Sequence, residues 1–244
     1  MMELQRHLSN LRLLGMHESL DYRVSHATEV GLGYEDFLMG ILEDEIIYRK
    51  NKKSERLKKR AKFRDDNHLE DFDYNKKRGV PKSVVKQWQT LTFLENYQNI
   101  LLVGGTGVGK TFLAEGIGQH SCKEGNETLF FSVNLLFEEI KSQKIAGKYL
   151  SFVSKIKKAK LIILDDFGLR KYTHEEATVL YELLEERYSR GSLVVTSQVK
   201  PEGWKGLFED EVIAEAILDR IISKSHRYDL KGESFRKSQK GNID

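Results

Sequence analysis

Gly104–Thr111 reads GGTGVGKT, which satisfies G-x-x-x-x-G-K-[ST] at every fixed position. Glycines at these places let successive backbone N–H groups turn inward around phosphate oxygens with no side chain in the way. The candidate phosphate contacts are Gly104, Gly105, Thr106, Gly107, Val108, Gly109, Lys110 and Thr111. Lys110 can reach the β- and γ-phosphates of a nucleoside triphosphate, and the Thr111 hydroxyl can ligate Mg²⁺. The apolar run NILLV at 99–103 precedes the loop and FLAEGIGQHSC follows it. The motif therefore joins a strand to a helix, whose N-terminus adds its positive dipole end.

Leu161–Asp166 consists of four aliphatics followed by two aspartates. A buried strand ending in carboxylates delivers them to the sheet edge where open α/β folds bind ligands. There Asp165 is expected to hold the Mg²⁺ shell and Asp166 to polarise the attacking water. The strand SLVVTS at 192–197 ends in polar residues, and Gln198 just beyond it could orient that water against the γ-phosphate. Arg220 falls in a helix expected to begin near Glu211. It could neutralise charge developing on the transferred phosphoryl group, most simply in a neighbouring subunit.

Short apolar runs position these groups: NILLV, TLFFSV at 128–133, KLIILDD at 160–166 and SLVVTS. Continuous apolar runs separated by helical segments predict parallel strands buried on both faces. Asn134 and Thr173 read as helix N-caps, the latter in a capping box with Glu176. Before this region, Leu4, Leu8, Leu11 and Leu14 recur at helical spacing, with Gly15 placed to end that helix. After Gly31 and Gly33 comes a long helix, or two joined. Its apolar stripe of Tyr34, Phe37, Leu38, Ile41, Leu42 and Ile46 is expected to pack within a small helical domain. The chain thus divides into a helical domain at 1–64, a linker at 65–81 that ends in Gly79 and Pro81, and an α/β domain at 82–244.

Charge is balanced in total but segregated along the chain. Net charge is +3, yet residues 49–64 carry +9 and residues 141–160 carry +7, which leaves the remainder at −13. Two acid-poor basic runs point to nucleic acid, with Lys58, Lys59, Arg60 and Lys62 in the first run and Lys141, Lys144 and Lys148 in the second as candidate DNA contacts. No base-reading constellation accompanies them, so double-stranded DNA binding that is largely independent of sequence is expected. The single cysteine, Cys122, permits no internal disulfide. No apolar run approaches the roughly 20 residues needed to span a bilayer. No signal peptide is read at the N-terminus, and a cytoplasmic protein without a membrane association is expected.

The strings GGTGVGKT, LIILDDFG, VVTSQ, LDRI and HRYDLKGESFRKS, with LRLLGM at 11–16, resemble the IstB-like family of insertion-sequence helper proteins. These are kin of the DnaC helicase loaders among the AAA+ ATPases. The resemblance covers essentially the whole chain. It implies an AAA+ P-loop ATPase with a central parallel sheet flanked by helices, a small all-α N-terminal domain and a reduced or absent lid. It further implies a homo-oligomer using ATP and Mg²⁺, bound to DNA, that assists the transposase of the same element in choosing a target site. Carried over by position, Lys110 and Thr111 belong to Walker A and Asp165 and Asp166 to Walker B. Gln198 falls at sensor I, Arg220 at the arginine finger and Arg236 at sensor II. Asp166 stands where most of the superfamily has Glu, and Gln198 where helicase loaders commonly have Asn. A DnaC-like helicase loader is the alternative, with the LKGES tail favouring the transposition reading. A small-molecule phosphotransferase gives residues 49–64 no role, and a DNA-binding module without hydrolysis gives none to Asp165 and Asp166.

If residues 49–64 track a DNA backbone, each neutralised phosphate releases counterions, and log affinity falls with log salt at roughly −0.9 per contact. Replacing Lys58, Lys59, Arg60 and Lys62 with glutamine should flatten that slope by about 3 to 4 units if all four touch phosphates. The measurement is duplex affinity over a salt series at fixed nucleotide state. An unchanged slope would assign DNA contact away from this run.

Overall fold

The four aliphatic runs pair side by side. In the computed structural model, which describes residues 1–73 and 78–234, they form β1 (Asn99–Gly104), β2 (Thr128–Ser132), β3 (Leu161–Phe167) and β4 (Ser192–Ser197). A fifth strand, β5 (Ser225–Leu230), completes a parallel sheet of order β2-β3-β4-β1-β5. The sequence pattern misses β5 because SHRYDL is polar and contains no apolar run. It runs the full length of β1, from Asn99 opposite Ser225 to Gly104 opposite Leu230. As an edge strand it carries an Arg227–Asp229 ion pair on its exposed side, which discourages further strand addition.

Helices cover both faces. Along each strand alternate residues point to opposite sides. Leu101, Val103, Leu129, Ile162, Leu164 and Val195 meet α7 (Val133–Ile145), α8 (Tyr149–Lys158), α9 (His174–Arg187) and α10 (Glu211–Ile222). Ile100, Leu102, Phe130, Ile163 and Val194 meet α4 (Lys82–Gln89), α5 (Thr92–Glu95) and α6 (Lys110–Lys123). Leu69, Phe72 and Val80, in the segment whose composition marks it as a linker, are buried in this second core. Thr173 and Glu176 form the expected capping box of α9. Asn134 is not a cap. It lies inside α7, and its Oδ1 accepts from Arg170 Nε at 3.0 Å.

The chain divides into two compact units, Met1–Arg56 and Leu57–Asp244. The first contains α1 (Met2–Asn10), α2 (Leu14–Val30) and most of α3 (Tyr34–Ala61). Gly15 does not end a helix. It sits in the first turn of α2, where an added Cβ would come within 2.7 Å of the Glu45 Cα, so its smallness lets α2 and α3 touch. The buried Glu45 carboxylate then accepts the Gly15 and Met16 N–H groups at 2.6 and 3.2 Å, serving orphan donors at the α2 N-terminus. The α3 stripe is only partly core: Ile41 is buried with Phe37 packed beside it, while Tyr34, Leu38, Leu42 and Ile46 are exposed. Within this unit α1 and α2 cover one side of α3 only. No helix among the described residues is long and apolar enough to cross a membrane.

One buried cation ties the helical layer to the sheet. Arg187, at the end of α9, donates to the carbonyls of Ile156 (2.6 Å), Ala159 (2.8 Å) and Ser192 (3.3 Å). Burial lowers its pKa to about 10, the expected direction for a cation removed from water. These carbonyl bonds offset that cost and fix the C-terminal end of α8 against the start of β4. Arg187→Met should therefore lower stability by about 2–3 kcal/mol, since hydrogen bonds to charged groups contribute more than neutral ones. Urea unfolding checks this. Parental stability in the variant would mean the desolvation cost cancels the bonds entirely.

Candidate functional site

The glycine-rich loop leaves the C-terminal end of β1 and enters α6. Gly107 (φ 78°) and Gly109 (φ 101°) take left-handed backbone conformations that other residues adopt only at a cost. Gly109 caps α6, so the first free N–H groups of that helix open onto the loop. Val108 is buried and offers the site its backbone alone. Lys110 Nζ donates to the carbonyls of Gly104 and Gly105 at 2.8 and 2.7 Å, which curls the chain around its ammonium group. A Cβ on Gly104 would lie 2.4 Å from the Leu230 carbonyl and one on Gly107 only 2.0 Å from the Ser234 hydroxyl. The segment following β5 thus lies directly on the loop. Arg78 braces it by donating to the Glu233 carbonyl at 2.8 Å.

Asp165 and Asp166 sit on a β-bulge. Leu164 pairs with Val195 and Phe167 with Ser197, so the two aspartates together face the single residue Thr196. The Thr196 hydroxyl accepts from the Asp166 N–H at 2.9 Å and donates to Asp165 Oδ1 at 2.6 Å. Asp166 takes φ 60°, a strained conformation for a residue with a Cβ. The bulge turns consecutive carboxylates in different directions: Asp165 is fully buried, whereas Asp166 lines the open cleft. Thr111 Oγ1 donates to Asp165 Oδ1 at 2.9 Å. Burial pushes the Asp165 carboxyl above its ordinary range, the Thr196 bond opposes this, and neighbouring Asp166 adds to it.

A cleft of about 610 Å³ opens above these groups, lined by Lys110, Thr111, Asp166 and Gln198 together with Arg64 and Glu115. That volume suits a small-molecule ligand of nucleotide size. Divalent-cation chemistry also fits the donor set. Asp165 Oδ2 is buried without a hydrogen-bond partner, and the Thr111 hydroxyl adjoins the same carboxylate, so hard oxygen donors converge.

Gln198 reaches the mouth of the loop, where its Oε1 accepts from Thr106 Oγ1 at 2.7 Å. Arg220 does not reach it. It pairs with Glu185, lies 5.0 Å from the Tyr181 ring, and its carbonyl accepts from Asn99 at the opposite end of β1 from the loop. Arg236 lies outside the described residues. Of the first basic run, Lys59 and Arg60 are exposed, while Lys58 and Lys62 pair with Asp66 (3.9 Å) and Glu139 (3.6 Å). In the second, Lys141 pairs with Glu138 at 3.7 Å, Lys144 lies over Tyr149 at 5.3 Å, and Lys148 is exposed. Sequence reasoning missed Thr196, Arg64 and Glu115. Thr196 lies in the polar end of the β4 run, where its type was the available signal. Arg64 and Glu115 carry no local signal, being separated by 51 positions where the Arg64 N–H meets the Glu115 carboxylate.

Residues 6–242 match the family described as IstB-like ATP binding protein. An insertion-sequence protein of Mycobacterium tuberculosis, named for ATP binding, is 32% identical over 96% of this chain and 93% of its own length. A second, of insertion sequence IS21 in Pseudomonas aeruginosa, is 31% identical over 98% and 91%. Among solved structures, the DnaC helicase loader superposes with a TM-score of 0.54 at 18% identity, over 68% of this chain and 97% of its own. AMPPCP-bound DnaA from Aquifex aeolicus gives 0.57 at 17% identity, over 75% and 57%. These likenesses establish the AAA+ P-loop fold.

Because one hydroxyl serves both aspartates, Thr196→Val should disturb the site without changing its shape. The Asp166 N–H loses its partner, at a cost of about 1–3 kcal/mol. Thermal unfolding should shift down, and metal-dependent nucleotide binding should weaken. A variant with parental melting and parental nucleotide affinity would show that the bulge is held by other contacts.

Proposed function

The chain belongs to the IstB-like ATP binding protein family, and on that premise we propose that it is an ATP-dependent, DNA-binding oligomer that assists the transposase of its own insertion sequence in selecting a target site. The relatives named from insertion sequences support the transposition context. The observation that carries the ATPase part is the convergence of Lys110, the Thr111–Asp165 pair, Asp166 and Gln198 on one cleft.

In this reading the loop N–H groups and Lys110 hold the β- and γ-phosphates. Thr111 and Asp165 hold Mg²⁺, which when bound neutralises charge on those phosphates. Asp166 accepts the proton of the attacking water, and Gln198 orients that water. Arg220, at the opposite end of β1 from the loop, serves the nucleotide of an adjacent subunit in a homo-oligomer. Arg236 contacts the nucleotide in the sensor II role. Lys58, Lys59, Arg60 and Lys62, with Lys141, Lys144 and Lys148, neutralise duplex phosphates without reading bases.

The test is ATP hydrolysis measured with and without duplex DNA. Turnover is expected to need Mg²⁺ and to rise with DNA. Lys110→Ala should lose ATP binding, whereas Asp166→Asn should keep it and lose turnover by at least about a hundredfold, the scale of general-base catalysis. Mixing Lys110→Ala with Arg220→Ala should restore some turnover, because the first can lend its arginine to the second. Parental hydrolysis by Asp166→Asn would remove that residue from the catalytic role. No hydrolysis under any condition would leave a binding module.

A further inference from the structure

A cation of the protein itself already faces the Asp165 oxygen that Mg²⁺ would take. Arg64 Nη1 lies 3.4 Å from Asp165 Oδ2, the oxygen that has no hydrogen-bond partner. One contact holds the guanidinium and three more hold the segment that carries it. The guanidinium carbon lies 5.5 Å from the centre of the Phe130 ring. The Arg64 backbone N–H donates to Glu115 Oε1 at 2.8 Å, and Asn67 Nδ2 donates to Glu115 Oε2 at 2.6 Å. Gln119 Nε2 donates to the Asp65 carbonyl at 3.1 Å. Residues 64–67 are thus stitched to α6, the helix that begins at the phosphate loop. Glu115 is fully buried, and it spends both carboxylate oxygens on this short segment.

We infer that Arg64 is an internal competitor for the Mg²⁺ position, its guanidinium neutralising Asp165 until the divalent ion displaces it. A fully buried carboxylate is costly without a neutralising partner, and Arg64 supplies one. Two cations at one oxygen repel, so the guanidinium must swing away when Mg²⁺ binds. Its side chain is 42% exposed toward the cleft, which leaves that path open. The ion pair is long and half-solvated, hence weak enough to be exchanged. Arg64 thereby sets how much Mg²⁺ is needed before triphosphate is held, and it is a positioning residue that acts through Asp165. The inference rests on the reading of Asp165 as a Mg²⁺ ligand.

The experiment is equilibrium binding of a fluorescent, non-hydrolysable ATP analogue to the full chain over a Mg²⁺ series. Arg64→Gln should lower the half-saturating Mg²⁺ concentration by about three- to tenfold, the range expected when a partly exposed ion pair is removed from a buried carboxylate. Affinity at saturating Mg²⁺ should stay within about twofold of the parent, a tolerance narrower than a lost charge-assisted bond to phosphate would allow. Arg64→Lys, which keeps the charge but not the planar fork, should fall between the two and guards against misfolding of the glutamine variant. An unchanged Mg²⁺ midpoint overturns the inference. So does weaker binding at saturating Mg²⁺, which would make Arg64 a phosphate contact. Asp165→Ala separates the underlying reading: if it retains the parental Mg²⁺ dependence, Asp165 is not the metal ligand, whatever Arg64 does.

Discussion

A carboxylate with no access to water must find a partner for each oxygen, and Asp165 is in that position at the centre of the site. Its Oδ1 receives the hydroxyls of Thr111, from the start of α6, and Thr196, from β4. Its Oδ2 faces Arg64, from the segment after α3. Three pieces of chain distant in sequence are thereby drawn to the end of β3. The phosphate loop, the water-facing Asp166 and the polar end of β4 take their places relative to that buried charge. Burial raises the affinity of the carboxyl for a proton.

The strand order makes this convergence possible. In the order β2-β3-β4-β1-β5, β4 lies between the strand that feeds the phosphate loop and the strand that ends in aspartates. Parallel pairing puts all the C-terminal ends on one edge, where ligands of open sheets bind. The bulge then lets one threonine face two aspartates, so that Asp165 is buried and Asp166 lines the cleft. On the far side β5 carries the chain back across β1 to lay Ser234 against Gly107. The glycine at 107 therefore answers two demands, a left-handed turn and a close neighbour.

The two basic runs have different structural standing. The end of the first is bound into the second unit through Leu57, Ala61 and the pairs made by Lys58 and Lys62, and it leads within a few residues to Arg64. The second lies on α7 and α8; both pack on the sheet through apolar residues, and the buried Arg187 also ties the end of α8 to β4. A charge run on a solvated face would need neither anchor. Here one run continues into a segment fastened to the nucleotide cleft, which gives DNA binding a covalent route to that cleft in the proposed function.

The sequence alone determined the parts whose cause is local. The glycine spacing of the loop, the four aliphatic runs and the Thr173 capping box all follow from neighbours a few positions apart, and each stands in the structure where the pattern put it. The family resemblance likewise rested on contiguous strings. What depended on tertiary packing was not legible. Gly15 reads as a helix stop, yet it is a contact point because Glu45 approaches from another helix. SHRYDL reads as a polar tail, yet it is a strand because β1 offers it an open edge. Only Ile41 and Phe37 of the α3 stripe belong to the core, since the pattern shows which residues could be buried and not what covers them. Arg64, Glu115 and Thr196 each became part of the site through partners tens of residues away. Periodicity and motif spacing carry no information at that range, and only the folded chain brings such groups within bonding distance.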